Sequence, residues 1–453
     1  MAGNTRDMTE GRPAGLLLAF ALPLMVGNIV QQMYTLMDAM IVGQFVGVEA
    51  LAALGAVEWL LYLVQGIITG ITQGFSILTA QRFGAEDGEG LRRCCAMSAL
   101  LTAGIAVLAT AASLLTLRPL LRFLNTPENI LEDAAAYCMV IFGGLAVYAG
   151  YNVLASILRS LGNSRAPLAA MVIAALTNIA LDLLFVVGFH WGVAGAALAT
   201  VLAEAFSCLF CLWVVRQIPA LALRRQDWRP DRDLCRKLMR LGFPIAFQNI
   251  VISVGGMVVQ YVINGFGFLY VAGFTATNKL YGILEVAATS FGFSMATYAG
   301  QNLGARRYSR IRQGTRSAAG MGIVTAAIIA AAMLLFGRSI LSLFISGEAE
   351  VVSAVLDIAY FYLTVMSYGL PVLYLLYVYR SALQGMGDTL TPLLSGVAEL
   401  ALRMGVILLL PLVIGETGLF FAEDAAWLAA AVLLAAVYYR RAARLPHADG
   451  EEA

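Results

Sequence analysis

The stretch Gln31–Gly47, QQMYTLMDAMIVGQFVG, contains a single charged residue, Asp38, in an otherwise uncharged and mostly apolar run. It belongs to a longer apolar segment, about residues 15–43, which is long enough to span a bilayer and too long for the apolar region of a signal peptide. We therefore expect no cleaved leader. Because a carboxylate inside the bilayer costs about 2.5 to 3.5 kcal/mol or more, Asp38 is predicted to face a protein interior or a cavity.

The composition of the whole chain indicates a membrane protein. Hydrophobic residues make up 60% of the sequence and charged residues 13%, and the mean hydropathy is +0.81, whereas soluble proteins carry roughly a quarter charged residues. Apolar runs of helix-spanning length predict an all-α membrane protein with twelve transmembrane helices. In round limits these are 15–43, 52–80, 94–117, 134–158, 166–188, 194–215, 242–264, 271–300, 317–337, 355–379, 390–414 and 420–439.

The basic residues predict the orientation of these helices. If both termini are cytoplasmic, 24 of the 29 Lys and Arg residues lie in cytoplasmic segments and three in outer loops, while Lys279 and Arg403 lie within spans. By the positive-inside rule, we expect both termini in the cytoplasm and a multi-pass protein of the cell (inner or plasma) membrane.

The second half of the sequence repeats the first. FALPLMVGNIV and GFPIAFQNIV place Pro23 and Pro244 at an offset of 221, QRFGA and QNLGA recur at an offset of 220, and LRSLGNSRAPL and LQGMGDTLTPL at 225. Six spans per half give both halves the same topology, hence a parallel repeat with a pseudo-two-fold axis along the membrane normal and a cavity between two lobes. The predicted organisation is a lobe at 1–215, a cytoplasmic linker at 216–241, a lobe at 242–440 and a cytoplasmic tail at 441–453.

The linker contains RRQDWRPDRDLCRKLMR, residues 224–240. Two interpretations are open for it. It is either an interfacial segment on anionic lipid or an ordinary cytoplasmic loop that follows the positive-inside rule.

The scarcity of catalytic residue types argues against an enzyme. The chain has two lysines, neither in a P-loop, and two histidines, so it lacks the residues for an ATPase motor, a zinc site or a Ser/His/Asp site. Cys208 and Cys211 form a CxxC within a predicted helix and are expected to be packing residues. We expect no cofactor and no nucleic-acid partner.

Polar residues recur in the spans of the first half. Asp38 follows Asn28, Gln31, Tyr34 and Thr35 on one helix face. In the fifth span Asn178 and Asp182 are four residues apart, hence on one face, and Thr200 of the sixth span lies at the same predicted depth. Oxygen groups of this kind suit a small cation, and two carboxylates in one poorly hydrated site equally suit a proton. A purely structural hydrogen-bonded network is the alternative.

Other ionisable residues in spans have less specific patterns. Glu399 and Arg403, four apart on one helix, are expected to neutralise each other or to contact substrate. Lys279 and Glu285 are expected to have partners on other spans. Glu204 either faces the cavity of the first half or packs with Ser or Tyr. The second half has no counterparts of Asp38 and Asp182, so the acidic site is predicted in the N-terminal half alone.

The sequence resembles the multidrug and toxic compound extrusion (MATE) family over nearly its whole length. The resemblance rests on FALPLMVGNIVQQMYTLMDAMIVGQFVGVEALAALG (20–55), AQRFGAEDGEGLRR (80–93), SILRSLGNSRAPL (156–168), NIALDLLF with GVAGAALATVLAE (178–204) and YAGQNLGARRYSRIRQG (298–314). It implies two six-helix lobes and efflux of organic cations or other small amphiphiles in exchange for Na⁺ or H⁺.

The resemblance is closer to the DNA-damage-inducible branch of the family, and it implies roles for individual residues. Asp38, Asn178, Asp182 and Thr200 match that branch's coupling site, which would be a metal site only with Na⁺ as the coupling ion. Pro23 matches the proline at which the first helix is thought to bend. A Glu of the seventh helix, typical of the Na⁺-driven branch, is absent here. The predicted cavity or gating residues are Pro23, Gln31, Tyr34, Tyr137, Glu204, Lys279, Glu285 and Arg403.

These observations predict a monomeric secondary antiporter of small molecules in a lipid bilayer. A flippase for a lipid-linked precursor is the alternative transporter, although its pyrophosphate calls for more basic residues in the cavity. A membrane scaffold or receptor is the non-transporting alternative, and it does not need two carboxylates at one depth.

Overall fold

The structure is a computed structural model, and it describes residues 5–124, 126–345 and 349–446. In these residues the chain is helical and contains no β-strand, which confirms the all-α class. Its α-helices are α1 Pro13–Phe45, α2 Val48–Gly84, α3 Gly88–Phe123, α4 Glu128–Gly143, α5 Leu145–Ser160, α6 Arg165–Asp182, α7 Gly192–Arg216, α8 Arg232–Asn264, α9 Phe268–Gly304, α10 Tyr308–Leu341, α11 Ala349–Gly385, α12 Leu390–Leu409, α13 Pro411–Ile414 and α14 Ala422–Arg444.

Each predicted span coincides with described helix. Ten helices of the described chain are long and apolar enough to cross a membrane, and the bent pair α4 and α5 makes an eleventh candidate. The remaining predicted span, 271–300, lies within the 37-residue helix α9, whose polar residues include Asn278, Lys279 and Glu285. Most of the predicted tail 441–453 lies beyond residue 446, outside the described residues.

The fourth span differs from its prediction as one helix at 134–158. It consists of α4 and α5, which meet at an angle of 48° at Gly144. Glycine at such a joint removes the side chain that would hinder a kink. A Cβ on Gly144 would lie 2.5 Å from Cγ2 of Val201, so the glycine also permits close approach of α7. The bend therefore depends on the packing of Gly144 against Val201, which cannot be predicted from the hydropathy of the sequence.

The backbone repeats in the same register as the sequence. Left-handed φ angles occur at Gly47 and Gly267, at Glu86 and Arg306, and at Gly162 and Gly387. The members of these pairs are 220, 220 and 225 residues apart, the offsets of the repeated motifs. Glu86 and Arg306 both have φ 55°, an uncommon conformation for residues other than glycine. The two halves therefore share turn geometry as well as motifs.

The chain divides into two compact units. Unit 1 comprises Met1–Asp7 and Leu22–Asn249, and unit 2 comprises Met8–Ala21 and Ile250–Ala453. Helices α1 and α8 each contribute residues to both units. The lobe boundaries drawn from the sequence stay a prediction.

In unit 1, small residues bring α2 and α8 together. A Cβ on Gly74 would lie 2.3 Å from Cα of Gly242, and one on Gly70 would lie 2.6 Å from Cα of Ala246. Close backbone approach of this kind is typical of helix packing inside membranes.

In unit 2, the segment before α1 is held by the QNLGA motif of α9. Gln301 Oε1 accepts a hydrogen bond from the Met8 backbone N–H at 2.8 Å, and Asn302 Nδ2 donates to the Met8 carbonyl at 3.1 Å. Ser294 Oγ donates to the Leu17 carbonyl at 2.9 Å, which joins the first part of α1 to α9. These contacts fix the start of α1.

Candidate ion-coupling site

Asp38 and Asp182 lie side by side in unit 1. Asp38 is on α1 and is 8% exposed, and Asp182 is the last residue of α6 and is fully buried. Their carboxyl groups lie within hydrogen-bonding reach of each other. No described residue donates a hydrogen bond to Asp38 Oδ1 or to either carboxylate oxygen of Asp182. Two carboxylates only accept hydrogen bonds unless one carries a proton, so this pair is satisfied when it takes up a positive charge.

Asn178 and Thr200 extend the site from α6 to α7. Asn178 is 1% exposed, and its Nδ2 donates to Thr200 Oγ1 at 3.4 Å. Thr200 Oγ1 in turn donates to the Ala196 carbonyl at 3.2 Å. The Asn178 side-chain oxygen has no hydrogen-bond partner among the described residues. The amide therefore offers one more uncommitted oxygen on the helix face that carries Asp182.

The helix that carries Asp182 changes its hydrogen-bond pattern at that residue. α6 ends at Asp182, and the chain continues as a π-helix, Leu183–Gly188. π-helical turns within α-helices are uncommon and frequently occur at functional sites. Hydropathy predicts one span, 166–188, and contains no signal for this change.

Two tyrosines, Tyr34 and Tyr137, lie near Asp38. Tyr137 on α4 is 8% exposed and interacts electrostatically with Asp38, Tyr34 and Asp182. Tyr34 is half-buried and interacts with Glu204 on α7 as well as with Asp38. The predicted residues Tyr34, Tyr137 and Glu204 therefore belong to the neighbourhood of Asp38.

The other polar residues of α1 are less enclosed. Gln31 and Thr35 are exposed, and Thr35 Oγ1 donates to the Gln31 carbonyl at 3.1 Å. Pro23 lies inside α1, which continues as helix on both sides of it. The polar face predicted for this helix is thus buried at Asp38 and exposed to solvent at Gln31.

A second set of ionisable groups lies in unit 2, where Glu399 and Arg403 interact electrostatically as expected, but each forms its direct ion pair with a residue of another helix. Arg380 of α11 forms the ion pair with Glu399, and Arg403 Nη2 lies 2.7 Å from Glu423 Oε2 of α14. The direct ion pairs of Glu399 and Arg403 form between helices because α12, which carries both residues, packs against α14 and lies beside α11. The Tyr377 hydroxyl donates to Glu285, so Glu285 has its partner on another helix as predicted.

Sequence reasoning missed several members of this set. The round limit 355–379 of the predicted span places Arg380 just outside it, yet Arg380 lies within α11 and is 7% exposed. Glu423 and Asp424 lie in the predicted span 420–439, and they carried the same signal as Asp38, a carboxylate in an apolar run. Lys279 is exposed, and it takes part in none of the ion pairs found among the described residues.

The chemistry of the unit 1 site suits a proton or a weakly held cation. In the described part of the chain, no three His, Cys, Asp or Glu side chains converge as a metal site. The cluster instead combines two carboxyl groups, one amide and one hydroxyl, which are hard oxygen donors. Such a set can exchange a proton or an alkali cation.

Comparison with known proteins identifies the family. The MatE family model matches residues 23–184 and 244–409, two copies that begin at the paired prolines Pro23 and Pro244. The probable multidrug resistance protein YpnP of Bacillus subtilis (strain 168) is 30% identical over 308 residues, 67% of this chain and 68% of that protein. DNA damage-inducible protein F of Escherichia coli (strain K12) is 27% identical over 334 residues, 72% of each chain.

A solved structure agrees on the fold. The crystal structure of MATE in complex with MaL6 superposes with a TM-score of 0.91, covers 98% of this chain and 99% of that chain, and is 22% identical. The prediction of twelve helices in two lobes is thereby confirmed, while the side of the membrane on which the termini lie stays a prediction. Because the MatE model matches more than two thirds of the 453 residues, the chain belongs to the MATE family and is a multi-pass membrane transporter, not an enzyme.

Proposed function

We propose that this protein is a secondary antiporter that exports small organic, often cationic and amphiphilic, compounds in exchange for H⁺ or Na⁺. The proposed coupling site consists of Asp38, Asn178, Asp182 and Thr200, as in the DNA-damage-inducible branch that the sequence resembles. The transporter is proposed to act as a monomer. The proposed cavity and gating residues are Pro23, Gln31, Tyr34, Tyr137, Glu204, Lys279, Glu285 and Arg403.

The observation that carries this proposal is the pair of buried carboxyl groups with unsatisfied oxygens. Two negative charges about 4 Å apart repel by about 4 kcal/mol at an effective dielectric constant of about 20. Asp182 has no exposed surface through which water could screen this repulsion. Uptake of one positive charge relieves it, and movement of α1 away from α6 would release that charge.

Asp38 is well placed to link ion binding to a conformational change. It lies on α1, fifteen residues after Pro23, and proline is the usual position of a helix kink because it removes one backbone hydrogen bond. A positive charge shared with Asp182 stabilises the arrangement in which α1 lies against α6. For antiport, the substrate has to bind more tightly to the arrangement in which Asp38 and Asp182 do not share this positive charge.

A flippase is less well supported. A lipid-linked pyrophosphate needs uncommitted cationic groups. Arg380 and Arg403 are both buried and both paired with carboxylates, and the single charge of the exposed Lys279 is too little for a pyrophosphate.

The decisive experiment is transport by reconstituted protein with the substitution Asp38→Asn. The amide keeps the shape of the side chain and removes its charge. We expect substrate efflux, driven by an imposed Na⁺ or pH gradient across proteoliposomes, to be abolished, with the folded protein still present in the membrane. Separate Na⁺ and pH gradients identify the coupling ion.

The matched control is Glu128→Gln, the same chemical change at an exposed position at the start of α4. It should transport at the wild-type rate. Normal efflux by the Asp38→Asn protein would refute the proposed coupling role, and absence of gradient-driven efflux by the wild type, tested against a panel of organic cations, would refute antiport.

A further inference from the structure

The linker between α7 and α8 forms an open surface depression with a cationic lining. The chain leaves α7 at Arg216, passes through the 3₁₀ helices Pro219–Leu221 and Arg225–Trp228, and enters α8 at Arg232. This solvent-open depression of about 590 Å³ is lined by Arg224, Arg225, Gln226 and Arg229, with no carboxylate among them. We refer to these four residues as the arginine pocket.

The acidic residue within this stretch is directed away from the pocket. Asp227 is 1% exposed, and its Oδ2 accepts a hydrogen bond from the Arg224 backbone N–H at 2.7 Å. The same oxygen lies 3.5 Å from Nε of Arg92 on α3. Its charge is therefore balanced by α3 and does not neutralise the arginines that flank it in sequence.

A second acidic residue holds the far end of the stretch to the same helix. Asp231 Oδ2 accepts from Arg93 Nη2 of α3 at 2.7 Å, and Asp231 Oδ1 accepts from the Leu234 N–H at 3.0 Å and the Asp233 N–H at 3.1 Å. Segment 227–231 is thus fixed to α3 at both ends. The loop is preorganised, which reduces the entropy lost when a ligand binds.

The side chains of the three pocket arginines are exposed to solvent. Arg224, Arg225 and Arg229 are exposed, and none of the ion pairs found in the described ranges includes them. Guanidinium groups bind phosphate oxygens through paired N–H donors, and Gln226 adds an amide donor. The pocket therefore matches a phosphate-bearing anion.

The surroundings favour a lipid over free phosphate. The pocket lies between the ends of two membrane-spanning helices, on the side predicted to be cytoplasmic, where anionic lipids concentrate. Trp228 is 42% exposed and Leu223 is 37% exposed beside the arginines. Tryptophan at this level is typical of the membrane interface, and an apolar flank suits the glycerol and acyl part of a phospholipid.

We propose that the arginine pocket binds the headgroup of an anionic phospholipid. The phosphate lies among Arg224, Arg225 and Arg229, Gln226 contacts the headgroup, and Trp228 lies at the level of the glycerol. This site is separate from Asp38 and does not depend on the proposed antiport.

The test is native mass spectrometry of the full-length purified protein titrated with phosphatidylglycerol or phosphatidylcholine. Each guanidinium that hydrogen-bonds the phosphate directly is expected to contribute about fivefold in affinity, the size of an exposed charge-assisted hydrogen bond. Replacement of Arg224, Arg225 and Arg229 by Gln should therefore weaken phosphatidylglycerol binding about 100-fold, which is about 2.8 kcal/mol at 1.4 kcal/mol per tenfold. Phosphatidylcholine, whose choline cation offsets the charge of the phosphate, should bind the wild type more weakly than phosphatidylglycerol and lose less affinity in the variant.

The matched control is a triple variant with Arg216, Arg232 and Arg236 replaced by Gln, which removes the same charge from exposed positions of the same linker region. It should retain wild-type affinity for phosphatidylglycerol. An equal loss in the control would overturn the proposal in favour of general charge attraction. Inorganic phosphate that binds the wild type as tightly as phosphatidylglycerol does would overturn the lipid assignment. The single variants Arg225→Gln and Arg229→Gln, each expected to lose about fivefold, keep the test decisive if the triple variant misfolds.

Discussion

Replacement of Arg380 by leucine tests the energetic role of the ion pair with Glu399 in unit 2. Both side chains are almost fully enclosed, with 8% and 6% of their side-chain surface exposed. Removing one partner leaves the other charge in a low-dielectric interior without its ion pair, and only the longer-range interactions of Arg403 with Glu399 and of Arg380 with Glu285 still act on it. Breaking a buried pair in this way costs about 3 to 5 kcal/mol.

The double replacement distinguishes the free-energy cost of leaving one buried charge unpaired from the net contribution of the ion pair to stability. Arg380→Leu with Glu399→Leu removes both charges, and apolar replacement of a buried pair is often neutral or stabilising. We expect each single variant to lose about 3 to 5 kcal/mol and the double variant to remain within about 2 kcal/mol of the wild type. The coupling energy between the two positions is then at least about 4 kcal/mol, because the two single losses together exceed the loss of the double variant by that amount.

The assay is the free energy of unfolding in detergent micelles, followed by tryptophan fluorescence. The control is the ion pair of Arg118 and Glu132, whose side chains are 52% and 71% exposed. A double-mutant cycle there should give about 0.2 to 1 kcal/mol, because solvent screens exposed charges.

Additive losses at Arg380 and Glu399 would contradict this reasoning, since they would mean that the two charges do not depend on each other. So would single losses as small as those of the exposed pair, which would mean that water reaches the site.

Two further predictions concern unit 1. Hydrogen bonding from the Leu234 N–H, reinforced by the Arg93 guanidinium, lowers the pKa of Asp231, so its stabilising effect is present above pH 4 or so and is lost as the pH falls through the lowered pKa. Asp231→Asn should therefore lower Tm at pH 7, and the difference from wild type should shrink towards pH 3; an unchanged difference would contradict this. Gly74→Val should prevent stable folding, because its Cβ would lie 2.3 Å from Cα of Gly242. The control Gly104→Val, with no atom within 4 Å of the new Cβ, should give a normal yield of folded protein in fluorescence-detected gel filtration. Equal yields of the two variants would refute the steric argument.

The fold was largely predictable because membrane helices follow from local composition. A helix inside a bilayer satisfies its own backbone hydrogen bonds, so long apolar runs with charged breaks locate the spans without knowledge of neighbours. The repeat was equally accessible, because recurring turns need recurring residue types. The bend at Gly144 was not predictable, since it depends on Val201, which is far away in sequence.

The candidate site was predictable for a related reason. A carboxylate is so costly in a bilayer that Asp38 and Asp182 are noticeable one at a time, and the shared topology of their helices suggested that they meet. The same logic applied to Glu423 and Asp424 would have indicated the second cluster. The sequence could not predict which residues form the direct ion pairs. Helical spacing allows Glu399 to meet Arg403, but α11 supplies a nearer partner for Glu399 and α14 supplies one for Arg403.

The sequence by itself determined the class of protein, the number of spans, the internal repeat and the two carboxylates of the first half, because each is a property of short segments in a known solvent. Only the tertiary structure decided which charges neutralise each other, where a span bends, and that α3 forms ion pairs with Asp227 and Asp231. Charge balance in an interior depends on distances between helices, and these distances are set by packing across the chain.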